Sequence, residues 1–176
     1  MLSTGSQREG RGPNSAFLLA QLGAHAAQVF SRLVAEVDLS PPQAGLLRAV
    51  ATGPGRSQQE IAAQLGTPPT RLVALADDLD RRGLIERKRN PEDRRLYALY
   101  LTETGQSTLE TLGRIAGEHN DILLNALDQT EREQLHTLLS RVADQQGLTP
   151  GVHPGYRNLG AANRESDSGT PRTDTA

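Results

Sequence analysis

Apolar residues recur at steps of three and four along AFLLAQLGAHAAQVFSRLVAEV, where Leu18, Leu22, His25, Val29 and Leu33 share one face. This spacing predicts a long amphipathic helix over about 15–37. A stop at Asp38 to Ser40 is followed by SPPQ, which offers Ser40 as N-cap, Pro41 at the first helical position and Gln43 three residues after the cap. A second helix therefore runs through AGLLRAVA to the breaker GPG. SQQE repeats the logic, with Ser57 and Glu60 as a capping box for a short helix that turns Ile61, Ala62 and Leu65 inward and stops at Gly66. TPPT restarts the chain, with Thr67 as cap and Pro68 in the first turn, and Leu72, Leu75, Ala76 and Leu79 form the buried stripe of a helix ending at Gly83.

Beyond Gly83 the period shifts from about 3.6 residues to 2. LIERKR and LYALYL are short alternating segments, and NPED between them has the Asn and Pro positions of a type I turn. The pattern predicts a β-hairpin with a charged tip, tied to the core by Leu84 and the alternating Tyr and Leu positions. Thr102 then caps a long helix over about 103–127, with Leu109, Leu112, His119 and the apolar residues around 115, 122 and 126 inward. TERE, with Thr130 and Glu133, supplies a capping box for a last helix over about 130–146 that presents Leu135, Leu138, Leu139 and Val142. Residues 1–14 and 147–176 are Gly-, Pro-, Ser- and Thr-rich with few apolar anchors, and are expected to be disordered tails. The fold class is mainly α with a small β-hairpin wing, and the folded part is about 15–146.

Composition narrows the chemistry. Aromatics are only 3% of the 176 residues, so the core must be aliphatic. With no cysteine there are no disulfides and no thiolate metal sites. The first residues, MLSTGSQREGRGPNS, lack the apolar stretch of a signal peptide, and no run approaches the length of a membrane helix. A cytoplasmic protein without membrane contact is expected. The net charge of −2 carries no global signal for nucleic acid, which leaves local asymmetry.

That asymmetry is present. A capped short helix, a tight turn, a second helix and a hairpin form the plan of a winged helix-turn-helix, whose second helix enters the major groove of double-stranded DNA while the hairpin tip reaches a neighbouring groove or the backbone. At the start of that helix Thr67, Thr70 and Arg71 are polar and expected to face outward, toward phosphates or base edges. Residues 81–95 hold seven basic side chains against three acids. Arg94 and Arg95, at the tip, are the expected groove and phosphate contacts, and Asp93 is expected to orient them. The adjacent acids Asp77 and Asp78 point apart and read as solvated. His25 and His119 lie on apolar helix faces, where a histidine satisfied by a partner is the simpler account than a ligand pocket or pH sensor. No zinc-ligand spacing, phosphate loop or nucleophile elbow occurs, so neither a metal, a cofactor nor an enzyme is expected.

The segment SQQEIAAQLGTPPTRLVALADDLDRRGLIERKRNPEDRRLYALYLTETG resembles the multiple antibiotic resistance regulator (MarR) family. The resemblance is carried by T-R-L-V and L-x-x-R-G-L-I-x-R at 70–87, D-R-R at 93–95 and L-T-x-x-G at 101–105, and the element order extends it to about 15–145. Pro69 departs from the family pattern, in which a hydrogen-bond donor often stands there. The resemblance implies a winged helix-turn-helix over about 40–102 and a dimerisation region built from the first, fifth and sixth helices. It also implies a homodimer on a pseudo-palindromic operator, acting as a repressor that a small lipophilic or phenolic effector releases, with His25 a candidate for the effector pocket. A winged-helix module that binds protein instead of DNA is the alternative, since fold does not fix function.

Overall fold

The computed structural model describes residues 14–89, 97–153 and 155–158. Its elements are α1 (Ser15–Ala35), α2 (Pro41–Thr52), α3 (Gln58–Leu65), α4 (Pro69–Arg81), β1 (Ile85–Arg89), β2 (Tyr97–Leu101), α5 (Glu103–Leu124), α6 (Gln129–Gln145) and the single turn α7 (Gly155–Asn158). The expected order of helices around one hairpin is present, and the chain runs on to α7.

Helix starts follow the local chemistry, with two displacements. Gln43 Oε1 accepts from the Ser40 N–H at 2.7 Å, and Glu60 Oε2 accepts from the Ser57 N–H at 2.7 Å, as the S-x-x-Q and S-x-x-E spacings require. The Ser57 N–H, and after it the Ser57 hydroxyl, hold the Glu60 carboxyl below its ordinary pKa. The α6 box lies two residues ahead of the expected Thr130–Glu133 pair. Asp128 accepts from the Glu131 N–H and Glu131 accepts from the Asp128 N–H, both at 2.9 Å. Asp is a stronger N-cap than Thr and completes the same spacing first. The start of α4 also moves, from Thr67 to Pro68 as N-cap. A proline pushes the residue before it out of the helical region, so Pro69 fixes Pro68 in an extended conformation and the helix begins at Pro69.

The core gathers on α2. Leu46, Leu47 and Val50 meet Val34 of α1, Ile61 of α3, Leu72 and Leu79 of α4, Ile85 of β1 and Leu99 of β2, all nearly inaccessible to solvent. From α5, Leu112 and Ile115 join this cluster, and the His119 ring turns edge-on to Phe30 with Nε2 2.9 Å from the Ala26 carbonyl. This is the satisfied histidine that its position on an apolar face suggested. Outside this cluster the apolar stripes are open: Phe17, Leu18, Leu19 and Leu22 on α1, Ile122 on α5, and Leu138, Leu139 and Val142 on α6 are exposed, and α6 buries no residue at all.

The stretch from 147 is not entirely a tail. Val152 packs against the core, and Tyr156 is 7% exposed with its hydroxyl donating to the Pro41 and Pro42 carbonyls at 3.1 and 3.3 Å. The ring lies over Gly45, where a Cβ would sit 1.3 Å from Tyr156 Oη. One aromatic ring in a cradle without a side chain is enough to anchor a segment whose composition reads as disordered. Burial raises the Tyr156 phenol to about 12, against the opposing pull of Arg48. A phenol with a raised pKa favours the docked state below its ordinary value of 10.0, and that contribution is lost as pH climbs toward the folded value. Gly45→Ala is therefore expected to expel the ring. Ultraviolet titration should show one tyrosine moving from about 12 to its ordinary value of 10.0; an unchanged titration would refute the docking.

Candidate nucleic-acid interface

α3 ends at Gly66 in the left-handed region, with the Gly66 and Thr67 N–H groups returning to the Ala63 and Ala62 carbonyls. This closes a turn of three residues, Gly66 to Pro68, between α3 and α4. Thr67 does not face outward as expected. Its side chain is buried in the turn and its hydroxyl finds no partner among the described residues, because a residue at the inside of a tight helix-to-helix turn points toward the packed pair.

α4 has two faces. Leu72, Ala76 and Leu79 are buried, while Thr70, Val73, Ala74, Asp77 and Arg81 are exposed at helical spacing. Arg71 is half-buried on the flank, and no carboxylate among the described residues lies within 4 Å of it. Thr70 thus faces outward at the N-terminal end of this helix, as expected, while Arg71 is turned to its flank.

The wing is an antiparallel pair in which Ile85 faces Leu101, Arg87 faces Leu99 and Arg89 faces Tyr97. β2 is also held on its other edge: Leu99 exchanges hydrogen bonds with Gly55 and Arg56, and Ser57 bridges Ala98. Leu84, Ile85 and Leu99 tie the hairpin to the core, but the tyrosines do not, which corrects the expected alternation. Tyr97 shares the inner face yet stands toward the tip, and it is 50% exposed. Tyr100 is on the opposite face, where the Lys88 ammonium lies 5.2 Å from its ring centre.

Pairing redistributes the positive charge. Arg87, on the inner face of β1, meets Asp77 and, at 3.8 Å, Asp80 of α4, so it fastens the wing to the second helix. The Gln58 amide, with its oxygen toward the guanidinium, adds contacts of 2.9 and 3.1 Å. Asp78 accepts from Gln43 at 2.6 Å and pairs with Arg81 at 2.9 Å and Arg82 at 3.9 Å. Asp77 and Asp78 do point apart, and Asp77 is exposed as expected, but each is also a structural partner. The alternation of β1 places Arg87 toward α4, which is the signal that identifies this tie. Lys88, paired with Glu86 at 2.7 Å, and Arg89 carry the charge onward. Asp93, Arg94 and Arg95 lie outside the described residues.

His25 is exposed on α1. An open cavity of about 370 Å³ between α5 and α6 is lined by Asn120, Gln129, Arg132, Glu133, His136 and Thr137. Among the described residues no group of three or more His, Cys, Asp or Glu could hold a metal ion, and no helix is long and apolar enough to cross a membrane.

Residues 37–96 match the model of the MarR family. Over 122 residues the chain is 30% identical to a protein of Thauera aromatica provisionally named as the transcriptional regulatory protein for the hcr operon, covering 69% of this chain and 74% of that one. The chain belongs to the MarR family. Its likeness extends to the transcriptional repressor CouR bound to a 23-mer DNA duplex, with 35% identity, a TM-score of 0.65, and 74% of this chain and 92% of that chain covered. MarR of E. coli in its apo form superposes with a TM-score of 0.68 over 75% of this chain and 98% of that one; at 21% identity this is a likeness of fold.

Proposed function

We propose that the protein is a transcriptional regulator that binds a specific double-stranded DNA site as a homodimer, represses from it and is released by a small ligand. The observation that carries this reading is the α3-turn-α4 unit, with the outer face of α4 uncovered beside a wing whose outer end is basic. A groove-sized helix end flanked by cations is what duplex DNA requires. CouR, related at 35% identity, is bound to a duplex. On this reading Thr70 and Arg71 meet the groove edge and phosphates, Arg94 and Arg95 take the neighbouring groove or backbone, and Asp93 orients them. Thr67, whose side chain is buried, has no part in these contacts on this reading.

The homodimer is supported by the open apolar stripes of α1, α5 and α6, since a helix that buries nothing of its own chain needs another surface. A lipophilic or phenolic effector would sit between the dimerisation and DNA-binding regions, with His25, on the open half of α1, as a candidate contact. Such a regulator acts in the cytoplasm, where its DNA is.

Selection from random duplexes tests the reading. The expected result is an enriched, roughly two-fold symmetric site with half-sites about one helical turn apart, released when a phenolic compound is added. Recovery of no enriched site would favour the protein-interaction module instead.

A further inference from the structure

The outer face of α4 is unusual in what it does not carry. Read along the helix, its exposed positions are Pro69, Thr70, Val73, Ala74, Asp77 and Arg81. Base edges in the major groove are usually recognised by Arg, Lys, Asn or Gln making two hydrogen bonds to one base. None of these stands on the first two turns of this face. Pro69 has neither an N–H nor a polar side chain, Asp77 is engaged by Arg87, and Arg71 lies on the flank, where a guanidinium meets the backbone more readily than a base. What remains at the centre is hydrocarbon: Val73, 40% exposed, with Ala74 beside it and the Thr70 methyl one turn before.

An exposed valine on a helix whose other face supplies the core gains nothing for the fold by its position. It does match one feature of DNA. Thymine alone projects a methyl group into the major groove, and apolar side chains distinguish it from the other bases. Successive base pairs are about 3.4 Å apart along a strand and successive helix turns about 5.4 Å. Thr70 and the Val73–Ala74 pair, one helical turn apart, therefore span one or two base pairs. The basic residues of the same unit, Arg71 on α4 and Lys88 and Arg89 on β1, supply charge for the phosphate backbone beside an apolar centre.

We infer that Val73, with Ala74, is the specificity-determining residue of this regulator and that it reads thymine through its 5-methyl group. The inference rests on α4 entering the major groove, as proposed above. Each half-site then contains one or two thymines whose methyl groups are required, while hydrogen-bonded base recognition from this helix is confined to Thr70.

Deoxyuridine differs from thymidine only by that methyl, which gives a direct test. Duplexes carrying the selected site are made with each thymine replaced in turn by deoxyuridine, and binding is measured for the full-length protein and for Val73→Ala. Burying one methyl is worth about fourfold in affinity. For the unmodified protein, one or two thymines per half-site should each lose about fourfold on replacement. Val73→Ala, at an exposed position that leaves the core intact, should bind the thymine duplex several-fold more weakly and lose most of its sensitivity at those same positions. Val73→Thr, which keeps the shape and exchanges a methyl for a hydroxyl, should fall between. If the protein binds but no position is sensitive, or Val73→Ala keeps the full sensitivity, the inference is overturned and groove entry by α4 stands. If neither protein binds any duplex, the DNA-binding reading falls and takes the inference with it.

Discussion

Gly105→Ala is expected to destabilise the protein by about 3 kcal/mol, as overpacking against backbone together with a disturbed buried hydrogen bond would. Gly105 is buried in the first turn of α5, and a Cβ there would meet the Leu84 carbonyl oxygen at 1.9 Å and its carbon at 2.9 Å. Neither atom can swing aside. Leu84 O already accepts from the Thr102 N–H at 3.2 Å, while the Thr102 hydroxyl donates to the Gly83 carbonyl at 2.6 Å and accepts from the Gly105 N–H at 3.0 Å. Three hydrogen bonds thus weld the start of α5 to the root of the wing. A methyl at 105 must open that joint, and with it the link between the hairpin and the helix proposed for dimerisation. Gly113→Ala in the same helix is the internal control. Nothing lies within 4 Å of its Cβ in the single chain, so the helix should gain up to about 1 kcal/mol from alanine's propensity. Urea unfolding of both variants by circular dichroism checks the pair; equal midpoints for Gly105→Ala and the unmodified protein would refute the joint.

The L-T-x-x-G pattern was visible in the sequence, but its cause was not, because the atom that forbids a side chain belongs to Leu84, far back along the chain. This division holds for other elements. Ser40 with Gln43 and Ser57 with Glu60 are legible because both partners of each cap lie within one turn. Thr67 misleads because the residue looks like a cap, while the adjacent Pro68 and Pro69 decide where the helix can begin. The stripes on α1 and α6 are legible as apolar, yet among the described residues nothing covers them. Tyr156 escapes because its partner is the absence of a side chain at Gly45. In the site, basic residues are countable from sequence, but their availability is not: Arg81 and Arg82 meet Asp78 within one turn of α4, whereas Arg87 is engaged by Asp77 and Asp80 only through the packing of β1 on α4.

That pairing sharpens what the wing should do in solution. Replacing Arg94 and Arg95 together by alanine is expected to weaken duplex binding at least tenfold and to lower the slope of log affinity against log salt by about two for each protomer, about four for a dimer, because each phosphate contact accounts for about one released counterion. Arg71→Ala should lower the slope by about one for each protomer on the same ground. Arg87→Ala should behave differently. Its charge is engaged by Asp77 and Asp80, so it neutralises no phosphate and releases no counterion; its loss frees the wing from α4 and leaves two carboxylates beside the groove. Affinity should then fall with a slope close to that of the unmodified protein. Titrations at four or more salt concentrations separate the two behaviours. An unchanged slope for the Arg94 and Arg95 double variant, with folding intact, would remove these arginines from the interface, and a slope for Arg87→Ala lowered as far as theirs would mean that Arg87 leaves its carboxylates for phosphate when DNA arrives.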